Sequence, residues 1–436
     1  MIDGRQHGRG LTTASLLRLR SAFCLGWAAS LIALTTLPGC VQPHCTNARY
    51  SDAECRVIAE NEHARLRASN GAEIRFQLPD AREDDRWEAL GLLAEQPDGT
   101  IQARVAGPGP FALSVRAPED ADLPDLRIRL RNVDRRAALA VGAAGLELQQ
   151  PTELDESSNR LLSVSLAAGQ TQWIRGTRDC PPRYRLAVTA DIQTNPTQFE
   201  RIVDRLQQEA RTSAEGEAPL VGVLIAGDLT ESSRDDEFET VDEILARLPV
   251  PAAVTPGNHD IYRPNRPHYN RTFGPGNYSV NVCGVHVTML DSGSGTIARS
   301  VQARLPELLH RGDAQFLVVG LHHPPYPGQT GAGWSREDHA AALLAELARE
   351  RADLVVAGHH HALRQFAEIP VGDVNLREVV VGTGGAYQGV GIPRYGYLRL
   401  SFDDDAGTME RCFVEVPPAG YAEPPNEPPG GLPYCD

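Results

Sequence analysis

The chain has 436 residues, enough for two or three domains. Its 41% hydrophobic and 23% charged content is that of a globular protein with a core and excludes a disordered one. A net charge of -15 argues against holding nucleic acid by phosphate neutralisation, and no nucleic acid partner is expected. All 42 basic residues are arginine, so Walker A loops and lysine Schiff bases are excluded as well.

The start of the chain reads as an export signal. Arg5, Arg9, Arg18 and Arg20 precede an uncharged run from Ser21 to Gly39. The run ends in Leu37-Pro38-Gly39-Cys40, which resembles a bacterial lipoprotein cleavage box. Residues 1–39 are therefore expected to be a lipoprotein signal peptide, with Cys40 carrying the lipid. A plain signal peptide or an uncleaved anchor helix are the alternatives. The expected location is exported and membrane-anchored, in the periplasm or at the outer membrane. Beyond Cys24 and Cys40, six cysteines remain, with no CxxC pair, which favours disulfides over a thiolate metal site. Cys45 with Cys55 closes the shortest loop, and Cys283 and Cys412 both lie in strand-like runs that could meet across a sheet.

Residues 40–70 read as a linker with a short helix around Ala53 to Leu66. Over 71–179 short alternating runs, such as Phe111–Val115 and Leu126–Leu130, are separated by Pro, Gly and Asp clusters. That pattern predicts a small all-β, sandwich-like accessory domain. From residue 180 to 416 the rhythm becomes strand, loop, helix. Leu186–Val188 leads to a helix that Asn195 can cap, with Gln198 completing a capping box and Phe199, Ile202, Val203 and Leu206 as its apolar stripe. Further strands are predicted at 221–226, 251–255, 278–290, 316–321 and 354–357, and after Leu363 strands dominate again. Ser335, with Asp338 three residues on, is expected to open a helix between the fourth and fifth of these. Residues 417–436 read as an extended Pro-rich tail.

The polar clusters fall at one kind of place. Asp191, Asp228, Asn258-His259-Asp260, His322-His323 and His359-His360-His361 each lie just beyond the end of a buried apolar run. In open α/β sheets those ends share one edge, where ligands bind. Carboxylates, an amide and imidazoles without cysteine suit a hard or borderline metal. About eight such groups exceed what one tetrahedral ion needs, so two ions are expected.

The order and spacing resemble the calcineurin-like metallophosphoesterase superfamily, whose pattern runs D-x-H, G-D, G-N-H-[DE], H and G-H-x-H. Here it reads Asp191-Ile192-Gln193, Gly227-Asp228, Gly257-Asn258-His259-Asp260, His322 and Gly358-His359-His360-His361. The resemblance implies an α/β fold of α-β-β-α sandwich type, two mixed sheets flanked by helices. It implies two divalent metal ions, among Mn, Fe, Zn and Mg, with Asp228 bridging them. Asp191, Gln193 and His361 would hold the first ion; Asn258, His322 and His359 the second. His259 would be catalytic, donating to the phosphoryl or leaving group, with Asp260 holding its ring. His323 and His360 would be neighbours. Gln193 departs from the usual histidine and leaves metal identity open. Glu231 stands three residues after Asp228, where purple acid phosphatases have tyrosine. The implied function is an exported phosphoesterase that hydrolyses small mono- or diesters by a metal-bound hydroxide. The alternative is a catalytically impaired metal-binding lipoprotein on the same fold. Arg266 and Arg271 could steer charge on a substrate or be solvated loop charges.

Overall fold

The computed structural model describes residues 52–76, 90–142, 147–148, 159–212, 218–262, 268–326, 333–388, 393–420 and 431–435. The stretch expected to be an export signal, with Cys40, Cys45 and Arg266, lies outside them. Among the described residues, no helix is long and apolar enough to cross a membrane.

Two sheets make up the part that carries the polar clusters. One joins, in spatial order, Ala252–Thr255, Leu220–Ala226, Arg183–Thr189, Gly396–Asp403 and Thr408–Glu415. The other joins Tyr278–Val282, Val285–Leu290, Phe316–Leu321, Leu354–Ala357, Val374–Val381 and Leu363–Val371. Their central strands are continuous apolar runs because both faces are covered. Leu186 and Val188 face Val287, Val318 and Val356 across the space between the sheets. Their neighbour Ala187 points outward, against Phe199, Ile202 and Leu206 of the helix Pro196–Thr212. On the far side Leu317, Val319 and Val355 pack under Leu343 and Leu347 of the helix Glu337–Arg349. The result is helix, sheet, sheet, helix, as the resemblance implied. Burying each such aliphatic side chain stabilises the fold by about 1.5–3 kcal/mol.

Ahead of this lies a β-sandwich. One of its sheets orders Arg65–Arg67, Glu73–Phe76, Phe111–Arg116, Thr171–Thr177, Ala138–Gly142 and Glu147–Leu148. The other orders Gly91–Glu95, Ile101–Val105, Leu123–Arg131 and Arg160–Leu166. Ile74, Leu113, Ile128 and Ile174 are among its buried core. The helix read as part of a linker spans Asp52–His63, and Ala53 at its start belongs to the apolar layer outside the six-stranded sheet. The chain then enters the sandwich at Arg65, earlier than residue 71.

Several local expectations need correction. Asn195 does accept the Gln198 backbone N–H at 3.2 Å, but the Gln198 side chain donates to the Val416 carbonyl and closes no capping box. Ser335 does not cap its helix; its hydroxyl donates to the Gly295 carbonyl, and Arg336 holds the cap position. Cys283 sits in the turn between Tyr278–Val282 and Val285–Leu290, Cys412 on Thr408–Glu415 of the other sheet, and they do not meet: the bridges are Cys180–Cys283 and Cys412–Cys435. Cys55 is disulfide-bonded, and its expected partner Cys45 is outside the described residues. The last residues do not trail away, since Tyr434 pairs with Phe413 and Leu432 is buried in the inter-sheet core.

Candidate metal centre

Each site residue follows a strand, and the two sheets divide the labour. The five-stranded sheet presents Asp191 and Gln193 after Arg183–Thr189, Asp228 after Leu220–Ala226, and Asn258, His259 and Asp260 after Ala252–Thr255. The six-stranded sheet presents His322 and His323 after Phe316–Leu321, and His359 and His361 after Leu354–Ala357. Asp191, Asp228 and His359 sit at φ of 60°, 52° and 70°, a left-handed backbone that costs side-chain-bearing residues about 1–3 kcal/mol. Adjacent glycines make room. A Cβ on Gly358 would strike Asp191 Oδ2, one on Gly257 would strike Asp228 Oδ1, and one on Gly227 would strike the His322 ring.

Two groups result. Ligand atoms of Asp191, Asp228 and His361 lie within 4.8 Å of one another, as do those of His322, His323 and His359. Asp228 Oδ2 is 3.2 Å from His322 Nε2, so the first group reaches the second. Asn258 Oδ1 lies 3.0 Å from both His322 Nε2 and His359 Nδ1. His322 Nδ1–H donates to the Ala226 carbonyl and His361 Nδ1–H to the Tyr387 carbonyl, which turns both Nε2 atoms toward the carboxylates. Gln193 Nε2 is 2.9 Å from His361 Nε2, while Gln193 Oε1 and Asp191 Oδ2 are buried without a partner among the described residues. His323, read from sequence as a neighbour, stands with His322 and His359, its ring centroid 4.2 Å from that of His359.

Charge balance explains what this cluster offers. Burial pushes the Asp191 carboxyl up to about 8, with the Asp228 charge adding to the effect. Burial also works against Asp228, but the charge and hydrogen bond of His322 outweigh it and hold that carboxyl below its ordinary value. His322 loses to burial and gains more from Asp228, ending at about 9. Burial, and the cation on His322, bring His359 down to about 4 and His323 to about 2. One buried carboxyl is held charged by the imidazole beside it, a second is pushed up by burial, and the Asp191 Oδ2 and Gln193 Oε1 oxygens have no partner among the described residues, which leaves donor atoms free for cations. The donor set fits divalent cations.

Asp260 has a different duty from the one expected. Asp260 does not touch the His259 ring. Its carboxylate accepts the backbone N–H groups of Leu229, Thr230 and Gly257, tying the Asp228 loop to the Asn258 loop. The His259 ring is held by Glu231, whose carbonyl accepts Nδ1–H at 2.8 Å. Sequence patterns cannot show this, because the partner is a backbone oxygen 28 residues away. Arg271 lies on the helix His268–Phe273, 3.8 Å from Asp235, which favours the solvated-charge reading.

A second set of residues was missed. Ser292 Oγ accepts the backbone N–H groups of both His322 and His323, at 3.0 and 2.9 Å. Next to it, Asp291 forms a buried two-point ion pair with Arg56, at 2.5 and 3.0 Å, so the N-terminal helix braces the turn behind the second ligand group.

Residues 184–363 match the Calcineurin-like phosphoesterase family. That stretch, less than half of the chain, is similar to a calcineurin-like phosphoesterase domain. The chain is 23% identical over 159 residues to a probable cyclic nucleotide phosphodiesterase of Vesicomyosocius okutanii subsp. Calyptogena okutanii, covering 34% of this chain and 66% of that protein. It is 29% identical over 202 residues to purple acid phosphatase 22 of Arabidopsis thaliana, covering 39% of this chain and 45% of that one. This chain thus spans about half to two thirds of those curated relatives. Among solved structures, a purple acid phosphatase from yellow lupin seeds aligns over 72% of this chain and 79% of its own, with a TM-score of 0.43 and 12% identity.

Proposed function

We propose that the chain is an exported, dinuclear-metal-dependent phosphoesterase acting on small phosphate mono- or diesters. The observation that carries the reading is the pair of ligand groups gathered where the strand ends of the two sheets meet, linked through Asp228. Asp191, Gln193, Asp228 and His361 would hold one ion; Asp228, Asn258, His322 and His359 the other, with His323 beside it. Two divalent cations so held would neutralise a phosphoryl group and generate a nucleophile from water.

The protein's own part is to place and move protons. The Glu231 carbonyl fixes Nδ1–H of His259, leaving Nε2 as the atom that passes a proton to the departing oxygen. Asp260 keeps the His259 backbone against Asp228, whose Oδ1 accepts its N–H at 2.9 Å. The relatives' names cover diester and monoester chemistry, and the ester class stays open between them.

Export rests on the basic start and apolar run of residues 1–39, lipid anchoring on Cys40, and an oxidising compartment on the two bridges within the domain. The test is hydrolysis of p-nitrophenyl phosphate and bis-p-nitrophenyl phosphate by apo-protein given Mn, Fe, Zn or Mg. Metal-dependent turnover of either ester is expected. Stoichiometric metal uptake with no turnover of any ester would instead support the impaired, metal-binding alternative.

A further inference from the structure

Large apolar side chains left in water are informative when they gather at one place. Among the described residues only two large hydrophobic side chains are exposed, Tyr262 at 54% and Tyr387 at 71%. Both stand at the rim of the metal centre, one beside each half of it. Tyr262 follows the Gly257–Asp260 motif, and its ring centroid is 4.8 Å from that of His259. Its hydroxyl is 3.5 Å from the Asn258 amide. Tyr387 gives its carbonyl to His361 Nδ1–H at 2.7 Å.

The backbones beneath these rings are fixed. Tyr262 N–H donates to Ser233 Oγ, whose own hydroxyl donates to the His259 carbonyl. Tyr387 N–H donates to Thr194 Oγ1, and the preceding Ala386 N–H to the Asp191 carbonyl. Neither ring is needed by the core, and both are anchored through the loops that carry the ligands. A rigidly mounted aromatic face in water gains apolar burial and stacking energy only when something flat covers it.

We infer that Tyr262 and Tyr387 select phosphate esters bearing a planar aromatic group, aryl or nucleobase, by stacking on it while the phosphoryl group faces the metal centre. The inference rests on the phosphoesterase reading and narrows its substrate class. Tyrosine suits the task because its ring stacks while its hydroxyl stays hydrated.

Phosphonates separate recognition from leaving-group reactivity, because their P–C bond is not hydrolysed. Binding of phenylphosphonate and methylphosphonate to the metal-loaded full chain is measured by calorimetry, alongside hydrolysis of an alkyl ester. Phenylphosphonate should bind roughly tenfold tighter, the scale of stacking on one aromatic side chain. Tyr262→Leu and Tyr387→Leu should each shrink that preference several-fold, read as the ratio of the two affinities, and Tyr262→Phe and Tyr387→Phe should keep it. Equal affinity for the two phosphonates, or a preference that survives both leucine substitutions, overturns the inference while alkyl-ester hydrolysis upholds the phosphoesterase reading. If neither phosphonate binds and no ester is hydrolysed, that reading falls and takes this inference with it.

Discussion

His259 reaches the centre without being counted among the clustered ligand atoms, its backbone N–H held by Asp228 and its ring by Glu231. Its replacement by Asn should therefore lower turnover by about 10²–10⁴, the range of a lost general acid, with metal content unchanged by elemental analysis. Loss of metal together with turnover would make it a ligand instead. A second residue matters for stability. Glu378 is buried on the strand Val374–Val381, where among the described residues no cation stands beside it and only the Tyr326 backbone N–H favours its charged form. Burial raises its pKa from 4.5 to about 8. Between those values the folded protein keeps a proton that the unfolded chain has released, so stability falls as pH rises from about 4.5 to 8 and levels off above. The slope from this group is at most about 1.4 kcal/mol per pH unit. Glu378→Gln should remove it, so that urea midpoints of variant and wild type diverge from pH 5 to pH 9 in the variant's favour. At this scale the sequence was legible where chemistry needs a particular side chain in a spaced motif, as with Asp191, Asp228 and His361. It was not legible where a backbone oxygen or the backs of loops decide the role, as with Asp260.

Arg56 shows what elements conceal. The strands ending at Thr189, Ala226, Thr255, Leu321 and Ala357 could be read from apolar runs, because burial on both faces leaves a local signal. The ion pair from Arg56 to Asp291 spans 235 residues, and nothing near either residue marks it. Its helix, read as part of a linker, is instead a brace for the sheets that carry the ligands. Glu60 on the same helix accepts from Gly276 N–H and the Asn277 side chain, and Asn277 in turn accepts from Asp291 N–H. Arg56→Met leaves the Asp291 carboxylate buried without its guanidinium and should cost about 3–5 kcal/mol by urea denaturation. Combining it with Asp291→Leu should recover most of that loss, since no uncompensated charge then remains. A single substitution that costs nothing would show the pair to be incidental.

For the whole molecule, the sandwich and the catalytic sheets are joined by buried polar contacts. Asn132 accepts from Ala252 N–H and donates to the Ala252 carbonyl, both at 2.8 Å, on the outermost strand of the five-stranded sheet. Arg104 donates to the Phe273 carbonyl, and the Tyr278 hydroxyl to that of Ala106. A chain beginning at Cys180 lacks the sandwich and the Arg56 helix together, and it should aggregate or melt at least several degrees lower. Light scattering and a thermal scan would check this. A soluble fragment with the melting point of the full chain would mean that the sandwich is only an appendage. The absence of a sequence signal for this joint has the same cause as before: its donors are dispersed, and three of these four acceptors are backbone. One further consequence follows from the way the ligands are divided. One sheet brings the carboxylates and amides, the other most of the imidazoles, so an ion bound by both reports on how the sheets are seated. For the proposed two-ion centre, the number of metal ions per chain in a purified batch would then measure the fraction of molecules correctly assembled. Metal stoichiometry would then become a quality test for any preparation of this protein, readable before its substrate is known.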